Sequence, residues 1–277
     1  NLWKVTGLAN NPRSIVKLFQ ARDPSNNPQP ITSAPLVGRS PFSQELWLFF
    51  GTGQYLNNAD LTDTQVQSWY GINDNGGTTT ATRSADLLER RILADVAVSA
   101  DVTARVIEAG AREDLLGKRG WFIDLFQVGA NGSTAALGER MITPNQFLGR
   151  TLIGNTRIPD ASDPCAPTGR GVIMAIDPFT GARLTDTFFD LDRDRAFDNV
   201  DMVEIDGVLT FVSGMGLNAG FSNPSFLDDN MFIPFDDLSD GDGNAESGGG
   251  GGGGRKVNLQ KVAPARTSWR ELINPAN

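Results

Sequence analysis

Apolar residues in this chain recur in short alternating or unbroken runs of about five to six positions, separated by glycine turns, which is a strand pattern and not a helix pattern. One arrangement appears three times. Ile31-Thr-Ser-Ala-Pro-Leu-Val-Gly38 is followed, after a gap, by Leu46-Trp-Leu-Phe-Phe-Gly51-Thr-Gly53. The second copy runs from Met141 to Thr156 and turns at Gly149. The third runs from Val203 to Gly216 and turns at Gly207. Each reads as a β-hairpin closed by glycine. Leu2–Thr6, Gly120–Leu125 and Gly171–Asp177 are further strand candidates, the last entering a tight turn at Pro178-Phe-Thr-Gly181. Repeated antiparallel units of this kind predict an all-β, propeller-like fold, with an irregular, unclosed β-sandwich as the alternative. At about 40 to 50 residues per blade the chain holds roughly four to six blades, so a closed ring is expected to draw on residues upstream of Asn1.

Two stretches depart from the pattern. Ser84–Ala94 has a serine N-cap candidate and acids in its first turn, which predicts a short helix, and Asp101–Ala109 reads as a second helix or a strand. The region of about 73–118 is therefore expected to be a helical surface insertion within the single domain 1–277. Residues of about 236–254 join an acidic run to seven glycines and are expected to form a flexible loop. Lys256–Val262 and Thr267–Ile273 read as two closing strands.

Composition removes several function classes. The chain of 277 residues carries 24 basic and 33 acidic residues, a net charge of −9, with no clustered Lys and Arg to neutralise phosphates. Nucleic-acid binding is not expected. There is no histidine, which argues against a Ser-His-Asp triad and a typical zinc centre. Cys165 is the lone cysteine, so no disulfide forms within the chain. No apolar run reaches the roughly 18 residues of a membrane span. The start at Asn1-Leu-Trp-Lys4, already strand-like, reads as a mature or excised fragment. Gly51-Thr-Gly53 lacks the helix or Gly-Lys-Ser/Thr ending of a phosphate loop and reads as a turn. The five tryptophans read chiefly as packing residues.

Candidate chemistry concentrates in Asp190-Leu-Asp-Arg-Asp-Arg-Ala-Phe-Asp-Asn-Val-Asp201. Asp190, Asp192, Asp194 and Asp198 occupy positions 1, 3, 5 and 9 of an EF-hand-type calcium loop, Ala196 the position 7 that offers a carbonyl, and Asp201 position 12. Calcium takes six to eight oxygen ligands, so one short loop must supply many carboxylates. Two positions depart from the pattern: Arg195 stands where the sharp turn wants Gly, and Asp201 is shorter than the usual bidentate Glu. Phe197 offers an apolar anchor. The alternative is an acidic surface turn with Arg193 and Arg195 as counter-charges.

Several segments, in order, resemble the C-terminal domain of the type IV pilus tip-adhesin and biogenesis family, the PilC/PilY type. They are Asn1-Leu-Trp-Lys4, Ile31–Gly38, Phe49-Phe-Gly-Thr-Gly-Gln-Tyr-Leu56, Asp60–Asp63, Gln67-Ser-Trp-Tyr-Gly-Ile72 and Arg83–Leu88. Lys118–Leu125, Asp163-Pro-Cys165, Ile176–Gly181 and Ser268-Trp-Arg-Glu-Leu272 complete the series. The resemblance implies an all-β, modified β-propeller that is quinoprotein-like in fold, export from a Gram-negative cell, and a place at the pilus tip, outer-membrane surface or periplasm. It also implies calcium-dependent control of pilus extension, retraction and adhesion. The expected partners are minor pilins or other pilus-tip proteins and a host or abiotic surface.

The leading expectation is thus a non-enzymatic adhesion and pilus-assembly module holding one Ca2+ through Asp190, Asp192, Asp194, Ala196, Asp198 and Asp201. The alternatives are a periplasmic quinoprotein-like dehydrogenase fragment and a purely structural propeller.

Overall fold

The computed structural model describes residues 1–7, 13–77, 79–129, 131–159, 169–235 and 252–258. Two sheets dominate. The first has five strands in the order Leu36–Arg39, Leu46–Gly51, Ser68–Asp74, Gly120–Asp124, Leu88–Arg90, antiparallel except for the last pair. The second has six antiparallel strands in the order Gln146–Leu148, Thr151–Asn155, Gly171–Ile176, Gly214–Leu217, Val102–Ile107, Ile92–Ala97. Smaller ribbons flank them, among them Leu2–Thr6 with Ser14–Phe19 and Met202–Ile205 with Val208–Phe211.

Side chains alternate across a strand, and here both faces of both sheets are buried. In the first sheet Trp47, Phe49, Trp69, Trp121 and Ile123 face the second sheet, where they meet Leu152, Val172, Met174 and Ile176. Phe50, Tyr70, Ile72 and Phe122 face the other way, onto Leu2, Leu18 and Phe19 of the first ribbon. The second sheet sends Ile173, Ala175, Val102, Ala104 and Met215 to a third cluster with Phe188, Phe189, Leu191, Val203 and Met231. Stacked sheets buried on both faces are how propeller blades pack, and the all-β, modified-propeller expectation agrees with this architecture. The blades are not regular four-stranded units.

Close packing sets local sequence demands. Trp121 is fully buried, donates its indole N–H to the Pro178 carbonyl at 2.8 Å, and lies edge-on to Trp69 at 5.7 Å. A β-carbon on Gly71 would come within 2.4 Å of the Trp121 ring, so only glycine fits opposite it.

All three expected hairpins form. The helix expected over Ser84–Ala94 is corrected: it is one turn, Arg83–Asp86, followed by strands Leu88–Arg90 and Ile92–Ala97. Asp101–Ala109 resolves as the strand Val102–Ile107. The region 73–118 is accordingly no helical surface insertion, since it gives strands to both sheets and Ile92, Ala104, Val106 and Ile107 to the core. Non-local pairing overrides the local helical preference there. The C-terminal edge of the expected flexible loop is also corrected, because Gly252–Lys256 forms a strand against Asn230–Pro234. The rest of that loop, Cys165, and Thr267–Ile273 with Trp269 lie outside the described residues. Of the tryptophans, Trp47, Trp69 and Trp121 are core residues, whereas Trp3 is exposed on its ribbon.

Candidate metal centre

The acidic loop leaves the core at Phe188 and Phe189, which pack edge-on at 4.9 Å beneath the second sheet. Leu191 is buried in the same cluster and is the loop's main anchor, with Phe197 only half-buried. The loop ends in a short 3₁₀ turn, Asn199–Asp201, that feeds the strand Met202–Ile205. Both ends are thus tied to the core while the middle faces solvent.

The loop folds through its own carboxylates, each accepting a nearby backbone N–H in Asx-type turns. Asp190 is buried and accepts from the N–H of Arg193 at 2.7 Å and of Arg195 at 3.2 Å. Asp192 accepts from Asp194 at 3.1 Å, and Asp194 from Ala196 at 2.7 Å. Arg193 and Arg195 take left-handed backbone, with φ of 69° and 70°. The turn that an EF-hand loop makes with Gly is therefore made here by Arg195, at a cost of about 1 kcal/mol for a residue with a β-carbon. Neither arginine forms an ion pair among the described residues.

One carboxylate oxygen from each of Asp190, Asp192 and Asp194 lies within 4.8 Å of the others. Two oxygens bound to one Ca2+ at about 2.4 Å can be at most about 4.8 Å apart, so the trio spans no more than one calcium sphere. The donor set is all oxygen and carries three negative charges, which suits a hard cation.

The structure gives Asp198 and Asp201 a different local task. Asp198 caps the 3₁₀ turn by accepting from the Val200 N–H at 2.8 Å. Asp201 is buried and accepts from the Leu191 N–H at 2.5 Å and the Asp198 N–H at 3.3 Å, clamping the two ends of the loop together. Burial pushes the Asp201 carboxyl above its ordinary range, aided by the charges of Asp190 and Asp192 and opposed by its two N–H donors. Ala196 is exposed beside the trio in sequence. The clamp was not read from the sequence, although the spacing of Asp198 and Asp201 is that of a capping box and carried the signal.

Comparison with known proteins follows the same lines. A family model for the PilY1 beta-propeller domain matches residues 13–105. A type IV pilus biogenesis factor PilY1 homolog from Xylella fastidiosa is 35% identical over 274 residues, which is 99% of this chain and 20% of the relative. Type IV pilus biogenesis factor PilY1 from Pseudomonas aeruginosa PAO1 is 29% identical over 198 residues, covering 66% of this chain and 16% of the relative. The chain thus spans a fifth or less of the length of these relatives. The crystal structure of the Pseudomonas aeruginosa PilY1 C-terminal domain matches with a TM-score of 0.67 at 24% identity, covering 89% of this chain and 49% of that one. Sequence likeness along nearly the whole chain and the shared fold lead to one conclusion: the chain belongs to the PilY1 family of type IV pilus biogenesis factors and has the fold of its C-terminal domain.

Proposed function

We propose that this domain works in type IV pilus biogenesis as a non-enzymatic module whose acidic loop holds one Ca2+. The observation that carries the proposal is the convergence of three carboxylates from Asp190, Asp192 and Asp194 in a loop with calcium-loop spacing. Ala196 through its carbonyl, Asp198 and Asp201 are the further donors of the set, Asp201 also clamping the loop ends. The ion would supply the positive charge that three crowded carboxylates lack. Because the loop is anchored at Leu191 and runs straight into the ribbon Met202–Phe211, ordering it also orders that ribbon. Binding to the folded state alone adds about 2.7 kcal/mol when the ion stands at 100 times its dissociation constant.

Control of pilus extension and retraction and adhesion to a host or abiotic surface are the roles this reading assigns, with minor pilins or pilus-tip proteins as partners. The site of action is the cell surface or periplasm of a Gram-negative cell. The curated relatives are named as biogenesis factors and not as enzymes, which supports the non-enzymatic reading. No helix among the described residues is long and apolar enough to cross a membrane. The test is a strain whose full-length gene carries Asp192→Asn and Asp194→Asn, scored for surface pili and twitching. The reading expects altered pilus number or motility at normal protein level; unchanged piliation and motility would sink it.

A further inference from the structure

A second surface feature has no part in the acidic loop. A cleft of about 430 Å³ opens between the strand Leu36–Arg39 and the strand Gln146–Leu148. These are the outermost strands of the first and second sheets, and among the described residues neither has a strand on its outer side. Val37 and Arg39 lie on one face of their strand and Gly38 on the other, yet all three line the cleft. The cleft therefore runs past the open edge of the strand, where backbone N–H and C=O groups stand ready for an added strand.

Its floor is aromatic. Phe147 meets the fully buried Phe49 edge-on at 5.5 Å, and Phe179 meets Phe49 at 6.0 Å and Trp47 at 5.7 Å. The Phe147 ring occupies the space where a side chain at position 38 would stand, since a β-carbon on Gly38 would come within 2.7 Å of it. Phe42 is 51% exposed at the rim and Val37 56% exposed, so the apolar surface reaches solvent.

The rim is cationic, in a chain of net charge −9. Arg39 and Arg150 are exposed, and neither forms an ion pair among the described residues. The Arg112 guanidinium stacks over Phe42 at 3.7 Å. Asp177, the one acid among the described residues that line the cleft, accepts the N–H groups of Phe179 and Thr180 on a single carboxylate oxygen at 2.8 and 2.9 Å, so the lining carries two cations and one anion.

From the strand edges that the described residues leave open, the aromatic floor and the two exposed arginines, of which Arg39 also donates to the Gln44 carbonyl at 2.5 Å, we infer that this cleft docks an extended acidic segment of a partner protein. The segment adds as a strand to one of the two open edges, seats an apolar side chain against Phe147 and Phe179, and pairs its carboxylates with Arg39 and Arg150. Guanidinium–carboxylate pairs give such a site its charge selectivity. This inference goes beyond the calcium reading and does not depend on it.

The test is fluorescence anisotropy with a labelled peptide of alternating Glu and Phe and a matched peptide with Lys for Glu. It is run in calcium and in chelator on the wild type, on R39E/R150E and on F42S. The expected result is saturable binding of the acidic peptide alone, the same with and without calcium. Binding should weaken by at least about tenfold in R39E/R150E, the effect of losing a charge-assisted pair. F42S should also bind more weakly, and the melting temperatures of both variants should be unchanged. Amide exchange should slow at 36–39 or 146–148 on binding. No saturable binding, equal binding of the Lys peptide, or indifference to R39E/R150E would overturn the inference. So would sedimentation showing that the wild type covers this face with a second copy of itself.

Discussion

Asp192→Asn with Asp194→Asn should stabilise the protein without calcium and destabilise it, relative to wild type, with calcium. Both residues are exposed, and each accepts one backbone N–H that an Asn side-chain oxygen can also accept, so the loop's turns survive the change. What the variant removes is charge. Carboxylate oxygens of Asp190, Asp192 and Asp194 lie within 4.8 Å of one another. At that separation each pair repels by about 0.9 kcal/mol in water-like surroundings. Three pairs, screened to roughly half at physiological ionic strength, give about 1.4 kcal/mol. The variant in chelator should therefore melt about 3 °C above wild type. Saturating calcium, at 100 times its dissociation constant, adds about 2.7 kcal/mol to wild type and little to the variant, which reverses the order. Paired thermal melts in chelator and in millimolar calcium read both halves. An unchanged order across the two conditions would refute the reasoning, and so would a variant that is less stable in chelator.

Three further outcomes test the fold. Arg105 is fully buried and reaches Glu139 at 2.5 and 2.9 Å and Asp95 at 2.7 Å. Burial works against its charge, but Glu139 and Asp95 raise its pKa above the ordinary range. Arg105→Met strands two buried carboxylates and should cost about 3–5 kcal/mol in urea unfolding; a loss under about 1 kcal/mol would contradict the network. Gly71→Ala should cost about 1–3 kcal/mol by forcing Trp121 aside, with partial recovery in the Gly71→Ala, Trp121→Phe double variant. Asp60 accepts from the Leu56 N–H at 2.7 Å, Gln54 at 2.8 Å and the Asn57 N–H at 3.0 Å, which hold its carboxyl below the ordinary range. A depressed folded-state pKa means stability present above the unfolded value of about 4 and lost as pH falls through the folded one. The melting gap between wild type and Asp60→Ala should thus close as pH drops below about 4, and a constant gap would show that the carboxylate is not the cause.

The sequence disclosed the hairpins because each is local: Leu36–Arg39 finds Leu46–Gly51, and Thr151–Asn155 finds Gln146–Leu148, across a short turn. It disclosed the acidic loop for the same reason, since the turns made by Asp192 and Asp194 span two residues. Long-range partners were hidden. Leu88–Arg90 is a strand because it lies parallel to Gly120–Asp124, and Arg90 is buried because its guanidinium reaches the Thr180 carbonyl at 3.0 Å. No window around Ser84–Ala94 contains either partner, so its helical spacing misleads. Arg105 reads as an ordinary strand charge until Glu139, 34 residues away, meets it in the core. Arg195 looks like a defect in the calcium loop, yet its φ of 70° makes the turn that glycine would make.

Isothermal calorimetry of calcium into wild type and into the Asp192→Asn, Asp194→Asn variant tests the central claim most directly. The account predicts saturable binding to one site in wild type, lost in a variant that melts as a folded protein. Absence of heat in wild type at millimolar calcium, or equal binding by the variant, would contradict it.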